Sequence, residues 1–496
     1  MPSDHAPAAA DTRFFGHPIG LATLFFTEMF ERFSYYGMRA LLILYMTHRV
    51  AQGGLGFADA KAGAIYGLYT AMVYLLCLAG GWIADTFIGQ RRAVLAGGIL
   101  IAAGEFSLLA PGETAFYTGL VLLMMGTGLL KGNVSTIVGQ LYPAGDRRRD
   151  SGFSIFYMGI NAGAVAAPLV CGWLGQHYGF RLGFGAAGLG MLFGLAQYVA
   201  FGGSLGSAGS RAAGAGTEEA NRRKKRYGLA GALAVLVAAG AAWALGAGGV
   251  VRITPEAISG ALGYFLLLVT VAVFWWLIFG AGWSKEERQR STAILVLFVL
   301  SAVFWAALEQ AGSSLNLFAD RATRCVILGR PFPSSWLQMV EPVFVVGLGS
   351  LVAWLWLALG RRNPSSPAKF SLALLLNALA FAILIPAATM AAGGTRVSVL
   401  FLLGTYFLQA LGELSLGPVG LSAVSKLAPA RAAGFMMGIW FLSISIGDWL
   451  AGKAASLYSS MPLPTLFGYV AAFSLLGALA MLLLKRPTVR LMAGVK

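Results

Sequence analysis

The chain of 496 residues is broken into apolar runs long enough to cross a bilayer, and this removes most of fold space at once. In hydrocarbon, backbone N–H and C=O groups have no water to bond. Uninterrupted apolar runs of about 20 residues are therefore helices whose hydrogen bonds close within the segment. Bounded by Gly, Pro and charge clusters, six runs fall near 19–46, 62–85, 92–110, 116–140, 152–175 and 182–202. Two follow near 228–247 and 258–281, and six more near 293–317, 336–359, 370–392, 398–424, 433–458 and 465–484. The expectation is an all-α polytopic membrane protein with 14 transmembrane helices. Composition agrees: 58% of residues are hydrophobic and 11% charged, whereas soluble domains carry about 25% charged residues.

The runs arrange themselves as six, two and six. Residues 1–18 read as an N-terminal segment, 19–202 as a six-helix bundle and 203–227 as a linker. The linker is rich in Gly, Ser and Ala over 203–216 and basic over 222–226, the makeup of a flexible connection. Residues 228–281 hold two additional helices, 282–292 a short linker, 293–484 a second six-helix bundle and 485–496 a tail. Residues 1–18 have too few apolar side chains for a signal core. The net charge of +16 is not spread evenly. Lys and Arg cluster in alternate loops with a bias of about three to one, which places both termini in the cytoplasm of a plasma-membrane protein. The basicity then sets orientation and calls for no nucleic acid. Three cysteines give no disulfide framework. The four histidines lie at the terminus or near helix ends, so proton chemistry inside the membrane must use carboxylates. No metal-ligand spacing and no credible nucleophile–base pair appears. The chain is expected to be no enzyme, to need no cofactor beyond protons, and to act as a monomer. Gly183 to Gly188 and Gly202 to Gly206 match a dinucleotide fingerprint and a nucleophile elbow, but neither has the strand context that gives those motifs meaning.

The first apolar run carries four charges, each costing several kcal/mol if it faced lipid. At 100° per residue, Glu28, Glu31, Arg32, Tyr35 and Arg39 fall within an arc of roughly 100°, with Tyr36 at its edge. A stabilising ion-pair stripe or a proton and solute pathway would both use such a face. Further ionisable residues lie inside later runs: Lys131, Glu309, Glu341 and Glu413. Across the set five carboxylates face three cations, so pairwise neutralisation is incomplete and at least one carboxylate must bind a proton. This favours coupling over simple bracing.

Several motifs resemble those of the proton-dependent oligopeptide transporter (POT/PTR) family of the major facilitator superfamily. They are Glu28-x-x-Glu31-Arg32-Phe33-x-Tyr35-Tyr36, Phe156-Tyr157-Met158-Gly159-Ile160-Asn161-Ala162-Gly163, Phe304-Trp305-x-x-x-Glu309-Gln310, Gly412-Glu413-Leu414 and Met437-Gly438-Ile439-Trp440-Phe441. The segment Gly80 to Arg92, echoed at Gly360-Arg361-Arg362, is similar to the superfamily's loop between helices two and three. The resemblance implies a major facilitator fold, two six-helix bundles plus two extra helices, and a proton-coupled symporter importing di- and tripeptides by alternating access. It implies that Glu413 and Asn161 receive the peptide's amino end while Arg39 and Lys131 hold its carboxylate. Tyr36 and Tyr74 would bond the peptide backbone, and Trp305 and Trp440 would line side-chain pockets. Glu28, Glu31, Arg32 and Glu309 would carry the proton, with Arg39–Glu309 and Lys131–Glu413 as gating pairs. Two departures stand out. Glu341-Pro342 occupies a place where Asn precedes Pro in the family, adding a carboxylate to the binding set, and Gly417 replaces a common Ser. A carrier of another small amine-bearing or anionic solute or drug, or a non-transporting nutrient sensor, would use the same residues.

Overall fold

The computed structural model describes residues 11–143, 146–210, 254–429 and 433–493, together with positions 222 and 226. Among them are thirteen membrane-length helices. In chain order they are α1 (Ile19–Thr47), α2 (Asp59–Ile88), α3 (Gln90–Ser107), α4 (Glu113–Gln140), α5 (Arg149–Tyr178) and α6 (Phe180–Ala200). Then come α7 (Pro255–Gly280), α8 (Lys285–Ala322), α9 (Ser334–Ala358), α10 (Ser366–Ala392), α11 (Leu400–Leu427), α12 (Ala433–Ser456) and α13 (Leu463–Leu491). Eleven are apolar enough to span a membrane on composition alone. Charges set the other two apart: Glu28, Glu31, Arg32 and Arg39 in α1, and Arg91, Arg92 and Glu105 in α3. The run expected near 228–247 lies outside the described residues.

Local signals fix several helix starts. Ser284 and Glu287 form a reciprocal capping box before α8, each side chain bonding the other's backbone N–H at 3.2 and 2.9 Å. Thr254 caps α7 through the Ala257 N–H, with Pro255 next in line. Helix α8 is the exception to continuity. Its ladder lapses at Glu309–Gly312 into a 3-10 turn and resumes over Ser314–Ala322. A Cβ at Gly312 would collide with the Tyr66 hydroxyl and the Arg39 guanidinium, so only glycine permits that packing.

The chain folds as two compact units whose limits fall inside helices. Among the described residues, the first holds 11–38, 76–143, 146–167 and 184–210 with positions 222 and 226, the second 39–75, 168–183, 254–429 and 433–493. In lipid, apolar side chains gain little by leaving one apolar medium for another, so helices associate through small residues that bring backbones close. The first unit follows that rule. Gly97 meets Gly126 across α3 and α4, Gly104 meets Gly119, and Gly80 of α2 meets Gly128 of α4. Gly159 and Gly163 of α5 lie against Phe25, Met29 and Arg32 of α1, the close packing expected of that Gly-x-x-x-Gly spacing. The segment after α6 differs from the flexible connection that its composition suggested. Arg91 donates to the carbonyls of Gly206 and Ala208, both at 2.6 Å, and Gln140 accepts from the Gly209 N–H at 2.7 Å. Side chains of α3 and α4 thus fasten the described part of this stretch, and the Ser204 hydroxyl adds a bond of 2.8 Å to Thr23 of α1.

The second unit has an apolar core that includes Phe298, Phe304, Phe370, Leu416 and Trp440. Gly63 and Gly67 of α2 abut the backbone of α12 at Ser456 and Gly452. Helix α7 docks on α12 through Trp449, whose indole N–H donates to the Ser259 carbonyl at 2.7 Å. Two short strand pairs lie in the connections: Thr323–Arg324 with Val397–Ser398, parallel, and Val326–Ile327 with Arg330–Pro331, antiparallel.

Candidate functional site

In the first unit, Glu28, Glu31 and Arg32 of α1 are buried, none more than 2% exposed. Arg32 donates through both Nε and Nη2 to Glu31, the second bond measuring 2.6 Å, and its Nε lies 3.5 Å from Glu28 Oε1. Glu28 Oε2 accepts no hydrogen bond from the described residues. The guanidinium also sits over the Tyr35 ring, 4.8 Å from its centroid. One cation therefore serves two carboxylates on adjacent turns, which the i, i+3 and i+4 spacing of α1 dictates. Lys131 of α4 is close enough to Glu28, Glu31 and Arg32 to feel their charges. Asn161 of α5 is buried and donates to the Tyr157 carbonyl at 3.0 Å. Tyr36 is half-buried, edge-on to Tyr35 at 5.2 Å.

In the second unit, Arg39 Nη2 donates to Glu309 Oε2 at 2.6 Å and Arg39 Nε donates to the Tyr66 hydroxyl at 2.8 Å. Both charged residues are 7% exposed. The broken turn of α8 presents Glu309, and neighbouring polar groups pin that turn. Ser314 donates to Gln310 Oε1 at 2.7 Å, Gln338 donates to the Ala311 carbonyl, and Asn316 donates to the Ala40 carbonyl at 2.9 Å. Glu341 of α9 and Glu413 of α11 lie against each other and within electrostatic reach of Glu309 and Arg39. Both are partly exposed, and Glu341 Oε1 has no hydrogen-bond partner among the described residues. Tyr74 and Trp305 are half-buried. Trp440 is 2% exposed, enclosed by Phe370 and Gly420, and in this conformation presents almost no surface to a solute.

The residues singled out from sequence thus divide in two groups. Glu28, Glu31, Arg32, Tyr36, Lys131 and Asn161 belong to the first unit, and Arg39, Tyr74, Trp305, Glu309, Glu341, Glu413 and Trp440 to the second. Two buried carboxylates escaped the sequence reading. Glu105 of α3 is fully buried and accepts from Ser34 Oγ at 3.1 Å, and Asp448 of α12 is 1% exposed near Tyr66. Each is a lone acid in an apolar run, the signal that exposed Glu309 and Glu413. A polar cluster at the opposite end of α1 also went unread. His48 lies 3.0 Å from Asp320, Gln176 bridges Ser334 and Ser335, and Arg321 grips Asp59 by two bonds of 2.7 and 2.8 Å.

Membrane-length helices whose interiors hold carboxylate–guanidinium pairs define a polytopic membrane protein with the charged interior that secondary transporters use. The family model described as PTR2, POT family, matches residues 91–204 and 261–469, and the chain belongs to that family. It is 39% identical over 490 residues to the peptide transporter YePEPT of Yersinia enterocolitica, covering 97% of this chain and 96% of that one. It is 34% identical over 494 residues to a di-/tripeptide transporter of Lactococcus lactis subsp. cremoris, covering 97% and 98%. A crystal structure of a POT peptide transporter in complex with sulfate superposes with a TM-score of 0.92 at 41% identity, covering 98% of both chains. The fold expected from sequence, a major facilitator arrangement, is borne out.

Proposed function

We propose that the chain is a proton-coupled symporter that imports di- and tripeptides by alternating access across the plasma membrane, with both termini cytoplasmic. The observation that carries this reading is the buried Arg39–Glu309 pair, braced by Tyr66 on a broken helix turn. A proton on Glu309 removes the charge that holds Arg39, and a peptide carboxylate offers Arg39 a replacement partner. Proton and solute then act on one bond. Arg39 supplies a planar fork and Lys131 a point charge for the peptide's carboxylate. Glu413 and Asn161 receive the ammonium group, Tyr36 and Tyr74 the backbone, and Trp305 a side chain; Trp440 would join them only once released from the core. Glu28 and Glu31, sharing Arg32, form a second place where a proton is held. Peptide-transporting relatives in the same family support the substrate class.

Glu341 favours a narrower variant of the same reading. A second carboxylate against Glu413 suits solutes with a strongly basic amino end. Uptake of labelled dipeptide into proteoliposomes with an imposed inward proton gradient tests the main claim. Accumulation that tracks the gradient is expected, and folded protein that shows none would remove the proposal.

A further inference from the structure

One cavity in the second unit lies apart from every residue proposed to bind peptide or carry the proton. It encloses about 830 Å³ at the basic end of the unit, under the turn Gly360–Arg362 and the start of α10, with one wall formed by α11. Its polar lining includes Arg361, Asn363, Ser365, Lys369, Ser422 and Lys426, and no carboxylate is among the described lining residues. The apolar lining includes Pro418 and Val419 of α11 together with Val489 and Met492.

Three features give this cavity the chemistry of an anion site. First, α10 is 27 residues long and opens into it, so its positive dipole end points at the space. Second, Lys369 in the first turns of that helix is 8% exposed and has no ion-pair or hydrogen-bond partner among the described residues; its ammonium rests on the Trp356 ring at 4.4 Å. A cation buried at the positive end of a helix is doubly unfavourable until an anion joins it. Third, the hydroxyl of Ser365, the residue preceding α10, is enclosed and has no hydrogen-bond partner among the described residues, although that position ordinarily caps the helix. Buried cation, free hydroxyl and helix end converge on the same space.

We propose that this cavity binds a phosphate-ester anion, held by Lys369, Lys426, Arg361 and the start of α10. The chemistry is shared by the headgroup of an anionic phospholipid and by a soluble phosphate. The apolar lining suits the glycerol and acyl part of the former.

The test uses the full chain purified in detergent, with bound lipid counted by native mass spectrometry during titration with phosphatidylglycerol or phosphatidylcholine. Saturable binding of phosphatidylglycerol with little of phosphatidylcholine is expected. Lys369→Gln should raise the half-saturating concentration about tenfold, the worth of one charge-assisted hydrogen bond. The exposed pair Arg361→Gln with Lys426→Gln should do so as well, which keeps the test alive if the buried substitution unfolds the protein. Lys485→Gln, an exposed cation off the cavity, should leave binding unchanged. Inorganic phosphate that displaces the lipid would support the site and assign it to the phosphate group alone. Inert phosphate beside effective phosphatidylglycerol would assign it to the lipid. Equal binding of the two lipids, or cavity variants that bind like the unsubstituted chain, would overturn the proposal.

Discussion

Glu309→Gln is the most informative single substitution, because it keeps the shape of the Arg39 contact and removes its charge. The bond it alters is 2.6 Å long between groups that are both 7% exposed, so solvent does little to weaken it. The amide oxygen still accepts from Arg39 Nη2, and Tyr66 still accepts from Nε. What is lost is the charge assistance, about 1.5 to 2 kcal/mol, or roughly a 10- to 30-fold fall in the population with the bond formed. The larger consequence is for coupling, since an amide cannot take up a proton and release it again. A potential of 100 mV supplies about 2.3 kcal/mol per charge, enough for roughly 50-fold accumulation of a neutral solute with one proton. In proteoliposomes the unsubstituted chain should approach that ratio. The variant should only equilibrate its substrate, yet exchange labelled for unlabelled dipeptide at a rate within a few-fold of the original. Gradient-driven accumulation by Glu309→Gln would refute the assignment of Glu309 as a proton carrier. Loss of exchange as well would move it to a structural or binding role.

Other substitutions separate packing from chemistry. Gly67→Leu forces a side chain into the backbone of α12 at Gly452, and should destabilise by about 1–3 kcal/mol, seen as a lower thermal midpoint in detergent. An unchanged midpoint would show that this contact is dispensable. Glu105→Gln should leave the midpoint within a degree or two because Ser34 still has its acceptor, whereas Glu105→Ala opens a cavity and costs about 2–4 kcal/mol. Equal midpoints for the two would dismiss the Ser34 contact as structural support. Glu341→Asn should shift the ranking of substrates away from peptides with strongly basic amino ends. If competition by a panel of dipeptides is unaltered, Glu341 has no part in recognition.

The helices were legible because lipid permits so few alternatives for a long apolar run, and the ends were off by only a few residues for most. The run expected at 62–85 is Asp59–Ile88, and that at 336–359 is Ser334–Ala358. Periodicity also placed Glu28, Glu31 and Arg32 together, since a single helix determines their spacing. The pairing of Arg39 with Glu309, 270 positions apart, came from family resemblance and not from any local rule. Composition misled at 203–209, where anchoring comes from Arg91 and Gln140 on other helices. Glu105 and Asp448 went unnoticed because no motif surrounded them, although a count of charges inside apolar runs would have flagged both. Trp440 reads as a side-chain pocket residue from its motif, and no local rule foretells that Phe370 and Gly420 enclose it in this structure.

The lapse in α8 has a mechanical meaning. An unbroken helix resists bending because each turn is bolted to the next, so a hinge within one must sever ladder bonds first. Here the severing is built into the chain at Glu309–Gly312, and Ser313 already adopts a non-helical backbone (φ −123°, ψ −98°). Nine residues from Ser314 to Ala322 form a short outer arm beyond that knuckle. The same joint displays the carboxylate whose charge is proposed to change, so the weakest point of the longest rod coincides with the place where force would be applied.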